Sequence, residues 1–336
     1  MKKNDRCLII AEAGVNHNGD LDLALKLCDA AKDAGADVVK FQTWITEKLI
    51  TRTVEMAEYQ ESNTGVKESQ FDMLKRLEMS YDNFRIIKRH CDEIGITFAS
   101  TADEPDSLDF LIELGIPFIK VGSGDIGNIS YLEYMGSKGL PVILSTGMSS
   151  IADVDISIGA LQKGGADDIT VLHCTTNYPC PMEEVNLNAM ITLRDAFHLP
   201  VGYSDHTIGT EVSVAAVALG ARVIEKHFTL DRNMEGPDHI ASTEPEEFKS
   251  MVCQIRNIEK ALGDGVKRAT ASEKKIKGVV TKRIVAKKDI KVGDVLSEDN
   301  MCVKRSAEGE LAAGWNMLIG HKTLRDYKPD EGISFM

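Results

Sequence analysis

The stretch CLIIAE (7–12), LDLALKLCDAAKDAG (21–35) and DVVKFQ (37–42) decides the fold. Its outer pieces are short runs of β-branched and other apolar residues ending in a polar group, which reads as two strands. The middle piece repeats its apolar residues near a period of 3.6 and stops at Gly35, which reads as an amphipathic helix. The same rhythm continues through ITFAST (96–101), FIKVGS (118–123), PVILST (141–146), ITVLHC (169–174), PVGYS (200–204) and RVIEKHF (222–228). Helical segments such as TEVSVAAVALGA (210–221) lie between, and Gly115 and Gly220 end two of them. Eight strands alternating with helices over about 260 residues predict an α/β fold of the (β/α)8 TIM-barrel type. An open doubly wound sheet ranks below it, because the first strand lacks the glycine-rich phosphate turn of that class.

After Gly265 the texture changes. Residues 267–291 carry ten Lys or Arg against Glu273 and Asp289, in a 336-residue chain whose net charge is −13. This reads as a solvated basic linker (266–281), or as a belt packed on acidic surface elsewhere. From Lys282 onward short strands and turns predict a small β-rich domain, 282–336, docked on a catalytic barrel spanning 1–265. A module this small has little core of its own.

The acidity argues against a nucleic-acid or anionic-membrane partner, since both call for a basic surface. No apolar run reaches the roughly 18 residues of a membrane span, and the first residues have no secretory h-region. A cytoplasmic protein is expected. The seven cysteines are scattered without a CxxC pair, which favours reduced thiols over a disulfide frame or zinc site.

In such a barrel, functional groups collect where strands end and loops begin. Those ends hold Glu12, Lys40, Gln42, Ser100, Thr101, Lys120, Ser123, Ser145, Thr146, His173, Thr175, Ser204, His206, Glu225 and His227. Nearly all can hydrogen-bond or carry charge. Five histidines (17, 173, 206, 227 and 239) fall on that face. His206 and His227 follow neighbouring strands, so one divalent ion could reach both rings with positions left open for substrate; hydrogen-bonded histidines without metal are the plainer reading. Lys40 and Lys120, with Ser123, Ser145 and Ser204, describe a pocket for a phosphate or phosphorylated carboxylate. The plainer reading pairs each lysine with a carboxylate. Glu12, Asp125, Asp205 and Asp238 are the candidate general bases, and Asp205 could equally serve to orient His206.

IIAEAGVNHNGDL, VVKFQT, KVGSGD, LSTGM, LHCTTNYPCP, VGYSDHT, ALGARVIEKHFTLD and GPDH stand in this order along the chain. The series resembles the sialic acid synthases, a family that includes the legionaminic and pseudaminic acid synthases. The end of the chain is similar to type III antifreeze proteins, the SAF domain. The resemblance implies condensation of phosphoenolpyruvate with the aldehyde form of a six-carbon N-acylated amino sugar, assisted by Mn2+ or Mg2+. It implies His206 and His227 as metal ligands. Lys40, Thr101, Lys120, Ser123, Ser145 and Ser204 would hold phosphoenolpyruvate, and Glu12, Asn63, Tyr178 and Asp238 would contact the sugar. Asp125, Lys120 and Glu12 would carry the catalytic roles. Arg305 matches an arginine that reaches a partner subunit's site, so a domain-swapped homodimer is implied.

Two departures stand out. Asp125 occupies a position where many bacterial members carry glutamate, one methylene longer. The stretch after Arg305 reads SAEGELAAGWNMLIG instead of the bacterial P-G-x-G-I-S-P type. N-acetylneuraminate from N-acetylmannosamine is the expected product. Legionaminate, KDN or a 9-phosphate form from a 6-phosphorylated sugar are the alternatives. A pyruvate-dependent metal aldolase and a non-catalytic sugar-binding module stand further off.

Overall fold

A computed structural model of the chain describes residues 6–56 and 68–335. The eight expected strands form one closed parallel barrel in chain order. They are β1 (Leu8–Gly14), β2 (Val38–Thr43), β3 (Thr97–Ala102), β4 (Ile119–Val121), β5 (Val142–Ser145), β6 (Ile169–His173), β7 (Val201–Asp205) and β8 (Val223–His227). The helices that follow them are α1 (Leu21–Asp33), α2 (Tyr81–Ile94), α3 (Pro105–Leu114), α4 (Ile129–Gly136), α5 (Ile151–Gly164), α6 (Asn188–Phe197), α7 (Glu211–Ala218) and α8 (Pro245–Leu262).

Local chemistry sets the helix limits. Asp20 caps α1 by accepting from Leu23 N at 2.9 Å, satisfying one of the free N–H groups of its first turn. Gly115 closes α3 at φ +87°, a left-handed conformation that costs a residue without Cβ little.

Strand side chains alternate between two faces, and each face has its own core. Ile9, Ala11, Val39, Phe41 and Phe98 belong to the large core that also includes Leu27, Phe84 and Leu108 of the helices. Ile10, Val38, Ala99, Phe118, Ile143, Leu172 and Val223 pack together as a separate plug, with Leu8 against it. Gly202 makes room for that plug. A Cβ there would sit 2.4 Å from Val223 O and 2.6 Å from Leu172 Cδ2.

The described chain divides into two compact units after Gly263. In the second, α9 (Ala271–Val280) occupies most of the basic stretch expected as a linker. A capping box formed by Thr270 and Glu273 starts this helix, and none of its residues is buried. β9 (Lys282–Ala286) and β10 (Met301–Arg305) then pair antiparallel, Arg305 opposite Lys282. They close over a small core of Ile284, Ile290, Leu296, Met301, Leu318, Tyr327 and Ile333. No helix among the described residues is long and apolar enough to cross a membrane.

Candidate functional site

Two residues beyond six of the seven buried plug positions the same face of the strand turns polar, and beyond Leu172 stands Cys174. Ile10 is followed by Glu12, Val38 by Lys40, Ala99 by Thr101, Phe118 by Lys120, Ile143 by Ser145 and Val223 by Glu225. Period-two geometry thus raises a charged layer directly on the apolar plug. One step further come Gln42, Asp103 and His227, with Ser204 and His206 rising on β7 beyond Gly202. These residues line a cavity of about 300 Å³, which also takes in Ser123, Met148, Cys174, Thr176 and Tyr178.

The buried charges are interlocked. Lys40 Nζ lies 2.6 Å from Glu12 Oε2 and 3.5 Å from Glu225 Oε2, and it donates to Thr101 Oγ1 at 3.0 Å. Lys120 Nζ donates to Ser145 Oγ at 2.8 Å and lies 3.6 Å from Glu225 Oε1. Ser204 Oγ donates to the same Glu225 oxygen at 2.9 Å, and Gln42 Nε2 to Glu12 Oε1 at 3.2 Å. Both lysines therefore have carboxylate neighbours, as the plainer reading has it, and both still face the cavity.

The carboxyls divide by environment. Burial pushes Glu225 up, but Lys120 and Lys40 outweigh it and bring the group to about 2. For Glu12 burial wins over Lys40 and leaves it at about 7. Asp103 is likewise raised to about 7, by burial first and by Asp125 second. Burial works against the Lys40 ammonium, yet Glu12 and Glu225 hold it above the ordinary lysine value.

His206 and His227 stand at the mouth, ring centroids 5.4 Å apart, with the Tyr178 ring 4.2 Å from the first and 5.3 Å from the second. Burial lowers both imidazoles, and the charge that His206 would carry lowers His227 further, so neutral rings are favoured. His206 Nδ1 lies 2.6 Å from the Thr175 carbonyl, which fixes the proton there and leaves the Nε2 lone pair toward the cavity, 3.4 Å from Ser204 Oγ. His227 Nδ1 is buried without a hydrogen-bond partner, 3.8 Å from Asp238 Oδ2. Among the described residues no set of three His, Cys, Asp or Glu could hold a metal alone. The pair fits an ion that keeps open positions, not a closed structural site.

The NeuB family matches residues 27–267, and the SAF domain matches residues 282–335. The chain belongs to the NeuB family. It is 49% identical to the N,N'-diacetyllegionaminic acid synthase of Campylobacter jejuni over 99% of both chains. It is 38% identical to the human N-acetylneuraminate-9-phosphate synthase, covering 97% of this chain and 91% of that one. A crystal structure of the N-acetylneuraminic acid synthetase of Leptospira borgpetersenii in complex with citrate matches with a TM-score of 0.71 at 36% identity. That match covers 81% of this chain and 90% of the other.

Within this NeuB-family barrel, Glu12, Lys40, Thr101, Lys120, Ser123, Ser145, Tyr178, Ser204, His206 and His227 share one cavity. Asp125 stands outside its lining, in the tight turn Ser123–Asp125, where Asn128 Nδ2 donates to its Oδ1 at 3.0 Å. Asp238 reaches the site only through its approach to His227. Asn63 lies outside the described residues, and Arg305 is an exposed residue of the second unit. His17 and His239 are buried in their own loops, against Gly19 N and Thr229 Oγ1. His173 Nε2 meets Val185 O at 2.9 Å on the wall of a neighbouring cleft of about 660 Å³. The Cys174 thiol is raised by burial, so it rests as a thiol beside Ser123. Sequence reading assigns no role to Glu225 and passes over Asp103. Glu225 was reachable by counting two residues from the plug position Val223, and Asp103 by counting four from Ala99.

Proposed function

We propose that the chain condenses phosphoenolpyruvate with the aldehyde form of a six-carbon N-acylamino sugar and water, giving a nine-carbon 2-keto acid and phosphate. Membership of the NeuB family supports a carbon–carbon bond-forming synthase of this kind. The observation that carries the reading is the buried layer in which Lys40, Lys120, Thr101, Ser145 and Ser204 converge beneath His206 and His227.

Phosphoenolpyruvate is a compact trianion, and two buried ammonium groups with hydroxyls give it charge-assisted hydrogen bonds at both ends. Ser123, which accepts from Gly147 N at 2.9 Å, adds a hydroxyl at the same wall. A divalent cation, Mn2+ or Mg2+, belongs to the proposal, with His206 and His227 to hold it. Bound there, it would supply Lewis-acid polarisation of the sugar aldehyde. C3 of the enol phosphate attacks that carbonyl, and the positive charge that develops at C2 is met by water. Glu12 and Asp103, both held near 7, are the groups poised to exchange protons at neutral pH. Asp125 would act through or beside Asp103. The tetrahedral intermediate then loses phosphate by C2–O cleavage.

Two acceptors fit about equally. N-acetylmannosamine would give N-acetylneuraminate; a 2,4-diacetamido-trideoxyhexose would give N,N'-diacetyllegionaminate, in line with the name of the 49% identical relative. A 6-phosphorylated acceptor, giving a 9-phosphate product, is the third reading, in line with the name of the 38% identical human relative.

The proposal includes a cytoplasmic, domain-swapped homodimer in which Arg305 serves the partner's site, with no nucleic-acid or membrane partner. The test is phosphate release from phosphoenolpyruvate with each sugar and Mn2+. Release should require all three components together. Turnover of pyruvate without phosphate would favour a metal aldolase instead, and no turnover with any sugar would leave a binding module.

A further inference from the structure

β7 and β8 carry a second set of polar residues that the reaction does not use. Ser204 and His206 face the cavity, and so do Glu225 and His227. The residues between them, Asp205 and Lys226, face the helices and are paired in the strand register. Both side chains are 0% exposed, with Lys226 Nζ 3.0 Å from Asp205 Oδ2.

The contacts of this pair tie the chain beside the two histidines together and to helix α7. Asp205 Oδ1 accepts from Thr207 N at 2.9 Å and Thr207 Oγ1 at 2.7 Å, and Oδ2 accepts from Ser213 Oγ of α7 at 2.6 Å. Lys226 Nζ donates to Thr207 O at 2.8 Å. The residues on both sides of His206 are therefore fastened to the residue just before His227. A buried ion pair adds little stability over a well-packed apolar pair, because desolvation offsets its attraction, and its best-attested value is in fixing one arrangement. The arrangement that depends on this pair is the spacing of His206 and His227.

We propose that Asp205 and Lys226 form a positioning pair that holds His206 and His227 at the separation needed to share one divalent cation. The inference depends on the reading of those histidines as metal ligands. Groups one step removed from a metal commonly change its affinity tenfold or more when replaced.

The experiment measures Mn2+ binding to the full-length protein by calorimetry, beside phosphoenolpyruvate binding and thermal melting. Asp205→Asn combined with Lys226→Met removes both charges together, so neither is left buried alone. The double variant should melt cooperatively and bind phosphoenolpyruvate within twofold of wild type, with Mn2+ affinity at least tenfold weaker. Lys226→Arg, which keeps the charge, should stay within about threefold of wild type. If the double variant fails to fold, Asp205→Glu serves in its place; its longer arm shifts the Thr207 backbone and should weaken Mn2+ in the same way. Wild-type Mn2+ affinity in either variant overturns the inference. If wild type itself shows no Mn2+ binding that His206→Ala abolishes, the metal reading fails first and this inference with it.

Discussion

Lys40 Nζ lies 2.6 Å from Glu12 Oε2, side by side across the β1–β2 register, and both side chains are only 2% exposed. Lys40 thus balances Glu12 and, at 3.5 Å, part of Glu225. Lys40→Met would leave two buried carboxyls without that partner. Its loss of stability should be on the order of 3–5 kcal/mol, the cost of breaking a buried pair. Lys120→Met should cost less, since Glu225 keeps Lys40 and Ser204. Chemical denaturation of the two variants tests the difference. Equal losses would mean that Lys40 does not hold the layer together.

Asp103 provides a pH signature. Its carboxyl is raised to about 7 in the folded protein, from an ordinary unfolded value of 3.8. Between those two values the folded state binds the proton more tightly, so stability falls as pH rises through the window and is flat above it. Asp103→Asn removes that loss. The variant should gain on the order of 4 kcal/mol over wild type above about pH 7, and nothing below about pH 4. Melting in the absence of ligands across pH 4 to 8 reads it directly. A gain independent of pH would point to packing instead.

Gly202 tests the plug beneath the charged layer. A methyl group there meets Val223 O and Leu172 Cδ2 well inside contact distance. Gly202→Ala should destabilise by about 1–3 kcal/mol, as overpacked cores do. The expected accompaniment is reduced turnover, because the plug supports Lys40, Lys120 and Glu225 from below. An unchanged melting temperature would show that β7 and β8 part at little cost.

The eight strands were legible because each is a short apolar run closed by a polar residue and followed by a helix. The charged layer was legible for a related reason: Glu12 follows Ile10 by two residues and Lys40 follows Val38. The partnership of the two was not legible. Lys40 meets Glu225 only because β8 closes on β1 and the barrel interior is shared, a relation no local pattern carries. Asp125 illustrates the opposite limit. Its motif suggests a group in the site, and it stands in the tight turn after β4, bonded to Asn128 and outside the cavity lining, while its charge still raises Asp103. The basic stretch read as a linker holds a helix because Thr270 and Glu273 form a capping box, and that signal was present in the residues themselves.

If His206 and His227 hold a catalytic cation, a chelator should abolish phosphate release and Mn2+ should restore it. His206→Ala and His227→Ala should each lower turnover at least a hundredfold while leaving the fold and phosphoenolpyruvate binding in place. Full activity in the chelated enzyme would contradict the assignment.

In the proposed reaction Lys40 and Lys120 hold an enol phosphate whose C2 takes up water and expels phosphate. Running the reaction in 18O-labelled water, with N-acetylmannosamine and the diacetamido sugar in turn, and weighing both products by mass spectrometry tests it most directly. A nine-carbon 2-keto acid is expected, with one phosphate per product molecule and no label in the phosphate, because the C2–O bond breaks. Label in the phosphate, or a nine-carbon acid formed from pyruvate with no phosphate at all, would contradict it.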